Sequence, residues 1–392
     1  MPTKLRVLVA LVSTVLALAI GWALLPERES RDTGIVDDRA SFSDFLTDRA
    51  SESDALTQEF ELVVETMPEE HAYKLFAGLK SDDTEYDPEV YYRHKPNLSY
   101  PREFPEHPGG KWTLRTNASG FRDDDETLTD KPDLRVLVIG DSHTDGACDN
   151  RFTAANVLEE LLRERSPDRT VEVVNAGVGS YSFYNYLGGI EKFKRELDVD
   201  VYVCMVFGGN DFLGTLRPTH YFQRTLLPVS GKPYYKRIDR FRKVARHPDR
   251  NLGQAVFQLS FLTEFPEQAE IAMHATELLT SAMAERAREL ELPLVFAYIP
   301  PAWDIQLERY EPRAADFAKA LMLDESGVVG ADGWADRWIA HVRSLGLPIF
   351  DPRDEWREAD VDLYWLGDHH INIEGQRRMA EGLLPLVEAA AL

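Results

Sequence analysis

The sequence of 392 residues contains little cysteine and has no excess of positive charge. Its two cysteines, Cys148 and Cys204, are too few for a disulfide scaffold in a chain of this length, so we expect two free, buried thiols. Lys and Arg number 44 against 67 Asp and Glu. The net charge of −23 argues against a general nucleic-acid-binding protein, which needs basic surface for the phosphates.

Two nucleotide-binding motifs are also missing. The chain has no Gly-x-x-x-x-Gly-Lys loop, and no Gly-x-Gly-x-x-Gly motif follows its first predicted core strand. We therefore expect no cofactor. The hydrophobic fraction of 44% is ordinary for a globular protein and sufficient for a sizeable core.

The N-terminus has the pattern of a membrane anchor. Lys4 and Arg6 precede an apolar run over 7–25, which is about long enough to span a bilayer. We expect residues 1–26 to be an uncleaved signal anchor with a transmembrane helix; a cleaved signal peptide is the alternative. The remainder of this single-pass protein would then lie outside the cytoplasm, in the periplasm or the extracellular space.

The rest of the chain divides by composition into three parts. Residues 27–85 are polar and acidic and predict a juxtamembrane linker with a helix near 42–64. Residues 86–133 predict an irregular extension that ends in a short strand and turn at 114–122. The main domain is expected over 134–392.

Apolar runs alternate with helical patterns in the main domain. The predicted strands are 134–139, 171–175, 199–207, 292–299 and 348–350, and the predicted helices are 152–165, 183–197, 268–291, 314–323, 333–345 and 372–389. This alternation predicts an α/β fold, a three-layer α/β/α sandwich with a parallel five-stranded sheet. Ligands bind such sheets at the carboxyl ends of the strands.

A basic insertion interrupts the domain at 217–250. It holds ten basic and two acidic residues, a local charge of about +8 in an acidic chain. It is either a solvated excursion that pairs with acidic surface or a lid that attracts an anionic substrate or lipid headgroup.

A serine at a strand end suggests acyl transfer. Ser142 follows the first core strand, and its hydroxyl needs a base and an orienting group to become a nucleophile. We predict His370 as the base and Asp368, two residues earlier, as its partner; His369 is the alternative base.

The same chemistry requires donors for an oxyanion. Asn210, after the third core strand, offers a side-chain amide. The backbone N–H of Ser142 offers a second donor, and that of Gly179 or Ser180 a third.

These segments together resemble an SGNH hydrolase of the GDSL superfamily. The four blocks of that family are similar to 140–142, 175–180, 209–211 and 368–370, in the same order, and the likeness runs from about Leu134 to Val387. The resemblance implies a flavodoxin-like hydrolase fold, with the nucleophile, base, partner and oxyanion donors at the residues predicted above. Residues 117–122 are in addition similar to the corresponding segment of bacterial members of the family.

Three positions depart from the family pattern. The chain has Asp-x-His where Asp-x-x-His is usual, a serine at position 180 for the usual glycine, and His143 for the usual Leu or Phe. The Asp-x-His spacing is similar to that in relatives of alginate acetylation proteins. The Gly-Asp-Ser-His segment resembles the corresponding segment of periplasmic domains linked to O-acyltransferases. We expect His143 to pack rather than to react.

The resulting hypothesis is a membrane-anchored esterase or O-acyltransferase. It would act through a Ser142 acyl-enzyme on the O-acyl groups of a cell-surface glycan. O-acetyl groups are the first candidate among these. The alternatives are a lipid esterase or lysophospholipase, and an inactive glycan-binding module. A metal site at His369, His370 and Glu374 is the weakest hypothesis, because no further His, Asp or Cys residues occur at a spacing that would bring them to this site. We therefore predict no metal.

Overall fold

The computed structural model describes residues 60–225, 262–263, 265–321 and 330–391. The predicted signal anchor, residues 27–59 of the acidic linker and residues 226–250 of the basic insertion lie outside this part of the chain. No helix within the described ranges is long and apolar enough to cross a membrane. The predicted helix over 42–64 is wrong where it can be compared, because residues 60–64 are not helical.

Two short antiparallel hairpins lie in the extension, for which we predicted a mixture of irregular and β structure with a short strand near its end. Strand β1 (Thr84–Asp87) pairs with β2 (Tyr91–His94), and β3 (Ser99–Glu103) pairs with β4 (Lys111–Arg115). The strands have four or five residues, and β3 is largely exposed. They therefore lack the long alternation of apolar and polar residues by which a sequence indicates a strand.

A sheet of five parallel strands forms the centre of the main domain, as predicted. Its order is β6-β5-β7-β8-β9. The strands are β5 (Leu134–Gly140), β6 (Val171–Asn175), β7 (Val201–Phe207), β8 (Leu294–Ile299) and β9 (Ile349–Phe350). Strands β5, β6, β7 and β8 are buried along their whole length, which explains their mainly apolar sequences.

Helices cover both faces of this sheet. The described helices are α1 (Glu69–Leu75), α2 (Ser142–Asp145), α3 (Ala154–Arg165), α4 (Phe183–Leu197), α5 (Asp211–Gly214), α6 (Leu216–Phe222), α7 (Pro266–Glu289), α8 (Ala302–Ile305), α9 (Leu307–Tyr310), α10 (Ala314–Leu321), α11 (Asp332–Ser344), α12 (Arg353–Arg357) and α13 (Ile373–Ala390). Single turns of 3₁₀ helix occur at 77–80, 150–152 and 311–313.

The alternation of side chains along β5 divides the core in two. Leu137 and Ile139 join the cluster that packs under α4, α7 and α11, whereas Val136 and Val138 join the cluster under α3 and α13. The sheet is thus the middle of three layers. Cys148 and Cys204 are free and buried, as predicted.

Candidate active site

Ser142 lies at the carboxyl end of β5, at the first position of the short helix α2. The turn is tight, because a Cβ at Gly140 would lie 2.7 Å from the carbonyl oxygen of Met205 on the adjacent strand. Asp141 caps the helix, its Oδ1 accepting the His143 N–H at 2.9 Å. The Ser142 hydroxyl lies 3.5 Å from Oδ2 of the same carboxylate. Strand and cap together place the serine at the rim of the sheet.

The loop after β6 runs beside this serine. Asn175 shapes the loop, its side-chain oxygen accepting the Gly177 N–H at 3.0 Å. A Cβ at Gly179 would lie 3.9 Å from the Cβ of Ser142, so the loop and the serine are neighbours. Ser180 has a φ of +66°, a left-handed conformation that glycine adopts more easily. Within the described residues, neither the Gly179 nor the Ser180 amide donates a hydrogen bond to the protein.

Asn210 follows β7, the strand next to β5, and stands at the N-cap of α5. Its backbone carbonyl accepts the Gly214 N–H at 2.7 Å, but its side chain does not cap the helix. The side-chain oxygen is buried and has no hydrogen-bond partner in the described part of the chain. Ser142 and Asn210 thus lie at the same edge of the sheet.

A buried carboxyl group fixes the Asn210 turn. Asp211 accepts the Tyr186 hydroxyl at 2.8 Å and the Phe207 N–H at 2.9 Å on the same oxygen. Burial and the nearby Asp141 carboxylate raise the pKa of Asp211 well above its usual range. Asp211 therefore holds a proton at pH values where an exposed aspartate is ionised.

Asp368 and His370 form a hydrogen-bonded pair in the loop before α13. His370 Nδ1 contacts Asp368 Oδ1, and the His370 N–H donates to the same oxygen at 3.0 Å. His369 Nδ1 is 3.9 Å from that oxygen, too far for a hydrogen bond. Burial alone would raise the pKa of Asp368, but the adjacent His370 and His369 rings hold it well below its usual range. The structure thus pairs Asp368 with His370 rather than with His369.

Backbone pairing closes the loop that carries Asp368 and His370. Tyr364 and Ile371 form an isolated antiparallel bridge, and the Trp365 N–H donates to the His370 carbonyl at 3.1 Å. Asn372 then caps α13 by accepting the Gly375 N–H at 3.0 Å. The loop carrying the histidine is therefore held at both ends.

His143 connects the serine turn to the histidine loop. Its buried ring lies 3.8 Å from the Phe207 ring and 4.9 Å from the His370 ring, between centroids. Its Nδ1 accepts the Ile371 N–H at 3.3 Å. Burial, with the nearby His370 and His369 rings, lowers the pKa of His143 well below its usual range, so it is a neutral acceptor. The sequence predicts that His143 packs, but it does not predict the hydrogen bond from the Ile371 N–H.

Asp368, His369 and His370 could together hold a metal ion. One ligand atom from each lies within 4.8 Å of the others. Glu374, the remaining residue of the metal hypothesis, instead contacts Arg377 at 2.6 Å and Arg378 at 2.9 Å. The carboxylate needed to complete that proposed site is thus occupied by ion pairs.

The five-stranded sheet with serine, asparagine and an aspartate–histidine pair at one rim is typical of α/β enzymes that hydrolyse esters. The family model described as GDSL-like Lipase/Acylhydrolase matches residues 136–383. The chain belongs to that family, and it is an enzyme acting on ester bonds. No curated protein matches the chain.

Three solved structures are similar to the chain at low sequence identity. TesA is 16% identical with a TM-score of 0.36, covering 66% of this chain and 99% of its own. LAE5, an alpha/beta hydrolase enzyme from the metagenome of Lake Arreo in Spain, is 15% identical with a TM-score of 0.35, covering 67% and 96%. Axe2, an acetylxylan esterase from Geobacillus stearothermophilus, is 12% identical with a TM-score of 0.38, covering 66% and 95%.

Proposed function

We propose that Ser142 is the nucleophile of a serine esterase and that His370 is its base. Ser142 Oγ attacks the ester carbonyl while its proton passes to His370 Nε2. The tetrahedral oxyanion accepts hydrogen bonds from the Ser142 amide, the Asn210 side chain and the loop amide of Gly179 or Ser180. The C–O bond then breaks, and the leaving alcohol takes the proton from His370. Water or a sugar hydroxyl finally removes the acyl group.

The observation that carries this proposal is the hydrogen bond between His370 Nδ1 and Asp368. A carboxylate on Nδ1 fixes the ring and its tautomer, so that Nε2 is the nitrogen left to accept a proton. The Asp368 pKa lies well below its usual range, so the carboxylate is ionised and stabilises the imidazolium that forms.

We further propose an O-acetylated cell-surface glycan as the substrate. The support is the likeness of the Gly-Asp-Ser-His and Asp-x-His segments to glycan-acylation proteins, together with the apolar N-terminal run. An anchor of that length would hold the enzyme at the outer side of the membrane, where such glycans occur. Lysophospholipids are the competing substrate class.

The test uses the full-length protein in detergent, with p-nitrophenyl acetate as the probe. We expect Ser142→Ala to release p-nitrophenol at least about a thousandfold more slowly. Ser344→Ala, which changes an exposed serine on α11, is the matched control and should keep full activity. Equal release by all three proteins would remove Ser142 from the mechanism.

The substrate class is tested with the same proteins. An O-acetylated oligosaccharide and a lysophospholipid are compared, and p-nitrophenyl acetate is compared with the decanoate ester. Ser142-dependent release of acetate from the sugar, with poor use of the decanoate, supports the glycan. Preference for the decanoate and the lysophospholipid would assign the enzyme to lipids.

A further inference from the structure

The N-terminal extension, defined here as residues 84–122, precedes the family match that begins at residue 136. It nevertheless contacts three of the segments that carry the candidate site. These are the loop with Gly179, the turn after Ser142 and the loop before Asp368. These three contacts indicate that the extension packs as part of the candidate site rather than as an independent module.

The contact with the Gly179 loop is made by Tyr92 on β2. Tyr92 is fully buried, and its hydroxyl donates to the Gly179 carbonyl at 2.9 Å. In return, the Tyr181 hydroxyl donates to the Tyr92 carbonyl, and the two rings meet edge to face at 4.9 Å between centroids. The loop is thus held on both sides of Ser180.

The contact with the serine turn is an ion-pair cluster. His94 Nε2 and Arg122 Nε both lie 3.0 Å from Asp145 Oδ1, at the end of the helix that Ser142 begins. Arg122 also donates to the Cys148 carbonyl at 2.9 Å. His94 and Arg122 are buried, so these contacts are shielded from water.

The contact with the histidine loop is made by Glu106, between β3 and β4. Its two carboxylate oxygens accept the Leu366 N–H at 2.5 Å and the Gly367 N–H at 2.6 Å. Phe104 packs edge to face on Trp365 at 5.2 Å between centroids. The loop that presents Asp368 is therefore also fastened to the extension.

We propose that the extension is a positioning element of the active site and that Tyr92 sets the oxyanion-donating peptide. The Gly179 carbonyl and the Ser180 N–H belong to one planar trans peptide unit and point in opposite directions. A hydroxyl that holds the carbonyl therefore also aims the N–H, and it polarises that N–H into a stronger donor. Tyr92 acts through this peptide and touches no substrate. The inference rests on the proposed Ser142 mechanism, and it assigns Ser180 rather than Gly179 as the loop donor.

The test compares Tyr92→Phe with Tyr86→Phe in the full-length protein. Tyr86 lies in the same hairpin, and its hydroxyl donates to the Met67 carbonyl at 2.6 Å, away from the three catalytic segments. Each variant loses one tyrosine-to-carbonyl hydrogen bond from the same hairpin, Tyr86 being half-buried and Tyr92 fully buried. Only Tyr92→Phe should lower kcat, by about ten- to a hundredfold. KM should stay unchanged, because the oxyanion exists only in the transition state.

Hydrogen exchange gives a second readout that does not depend on activity. The Val178 amide donates to the Gly140 carbonyl at the end of β5, and the Tyr181 amide donates to the Val178 carbonyl. Both amides should exchange faster in Tyr92→Phe than in Tyr86→Phe. Equal exchange and equal kcat in both variants would overturn the inference, even where Ser142→Ala is inactive and the proposed function stands. Activity surviving in Ser142→Ala would instead remove the proposed function, and the exchange comparison would still decide whether Tyr92 holds the loop.

Discussion

The ring of His143 accepts the backbone N–H of Ile371 at 3.3 Å. His143 follows Ser142 directly, and Ile371 follows His370 directly, so one hydrogen bond joins the turn of the proposed nucleophile to the loop of the proposed base. The contact spans 228 residues of sequence. It therefore fixes the position of the turn that carries Ser142 relative to the loop that carries His370, the two residues proposed to react.

The first prediction concerns this contact. His143→Phe keeps an aromatic ring against Phe207 but leaves the buried Ile371 N–H without its acceptor. We expect the free energy of unfolding to fall by about 1–3 kcal/mol, and kcat to fall with it. His143→Asn, whose side-chain oxygen can replace Nδ1 as acceptor, should recover part of both losses. Urea unfolding measures the change in stability, and ester hydrolysis measures the change in kcat. An unaltered kcat in His143→Phe would show that His143 contributes only packing.

The second prediction concerns the partner of the base. Asp368→Asn keeps the shape of the side chain but loses the charge that fixes the His370 tautomer. We expect kcat to fall by about 10³–10⁴-fold with the fold intact. Asp362→Asn is the matched control, because Asp362 pairs with Arg309 at the surface and lies outside the site. Similar rates for the two variants would contradict the role given to Asp368.

The third prediction concerns the oxyanion. Asn210→Ala removes a side-chain amide whose oxygen has no hydrogen-bond partner in the described chain, so stability should change little. We expect kcat to fall about a hundredfold or more, with KM nearly unchanged. Asn210→Asp should be at least as damaging, since a carboxylate would face the developing negative charge. A kinetic analysis that finds the loss in KM alone would remove Asn210 from the oxyanion hole.

Local pattern was sufficient to predict most of the main domain. All eleven strands and helices predicted for the main domain correspond to an observed element, and their bounds agree within two residues wherever the structure describes the residues concerned. The reason is physical, because a strand buried on both faces must be apolar throughout, and a covering helix must repeat its apolar residues every three or four positions. The serine and asparagine segments follow the ends of β5 and β7, whereas the Asp–His segment lies in the loop before α13.

The supporting contacts could not be predicted in this way. Tyr92 meets Gly179 across 87 residues, and Glu106 meets Gly367 across 261. Such pairs depend on the docking of the extension, and its short strands leave only a weak periodicity in the sequence. The unusual serine at position 180 was noticed, but only the backbone shows that it has a φ of +66°.

The last prediction is a pH dependence of stability from the buried His94–Asp145 pair. Burial alone would lower the pKa of His94, but the Asp145 carboxylate at 3.0 Å outweighs it and raises the pKa above 6.5. The folded protein therefore keeps a proton that the unfolded chain releases. The resulting stability is fully present below about pH 6.5, and it is lost as the pH rises through the raised folded pKa.

Urea unfolding between pH 6 and pH 9, spanning the ordinary histidine pKa of about 6.5, measures this loss. Wild type should lose stability over the range, and His94→Asn should lose less, because its side chain does not titrate. Asp145→Asn should flatten the curve in the same way, since the raised His94 pKa depends on that carboxylate. The acid side is separate, because the Asp145 pKa is lowered and its own contribution is lost only below about pH 3.8. Parallel curves for wild type and both variants would show that His94 does not carry the proton.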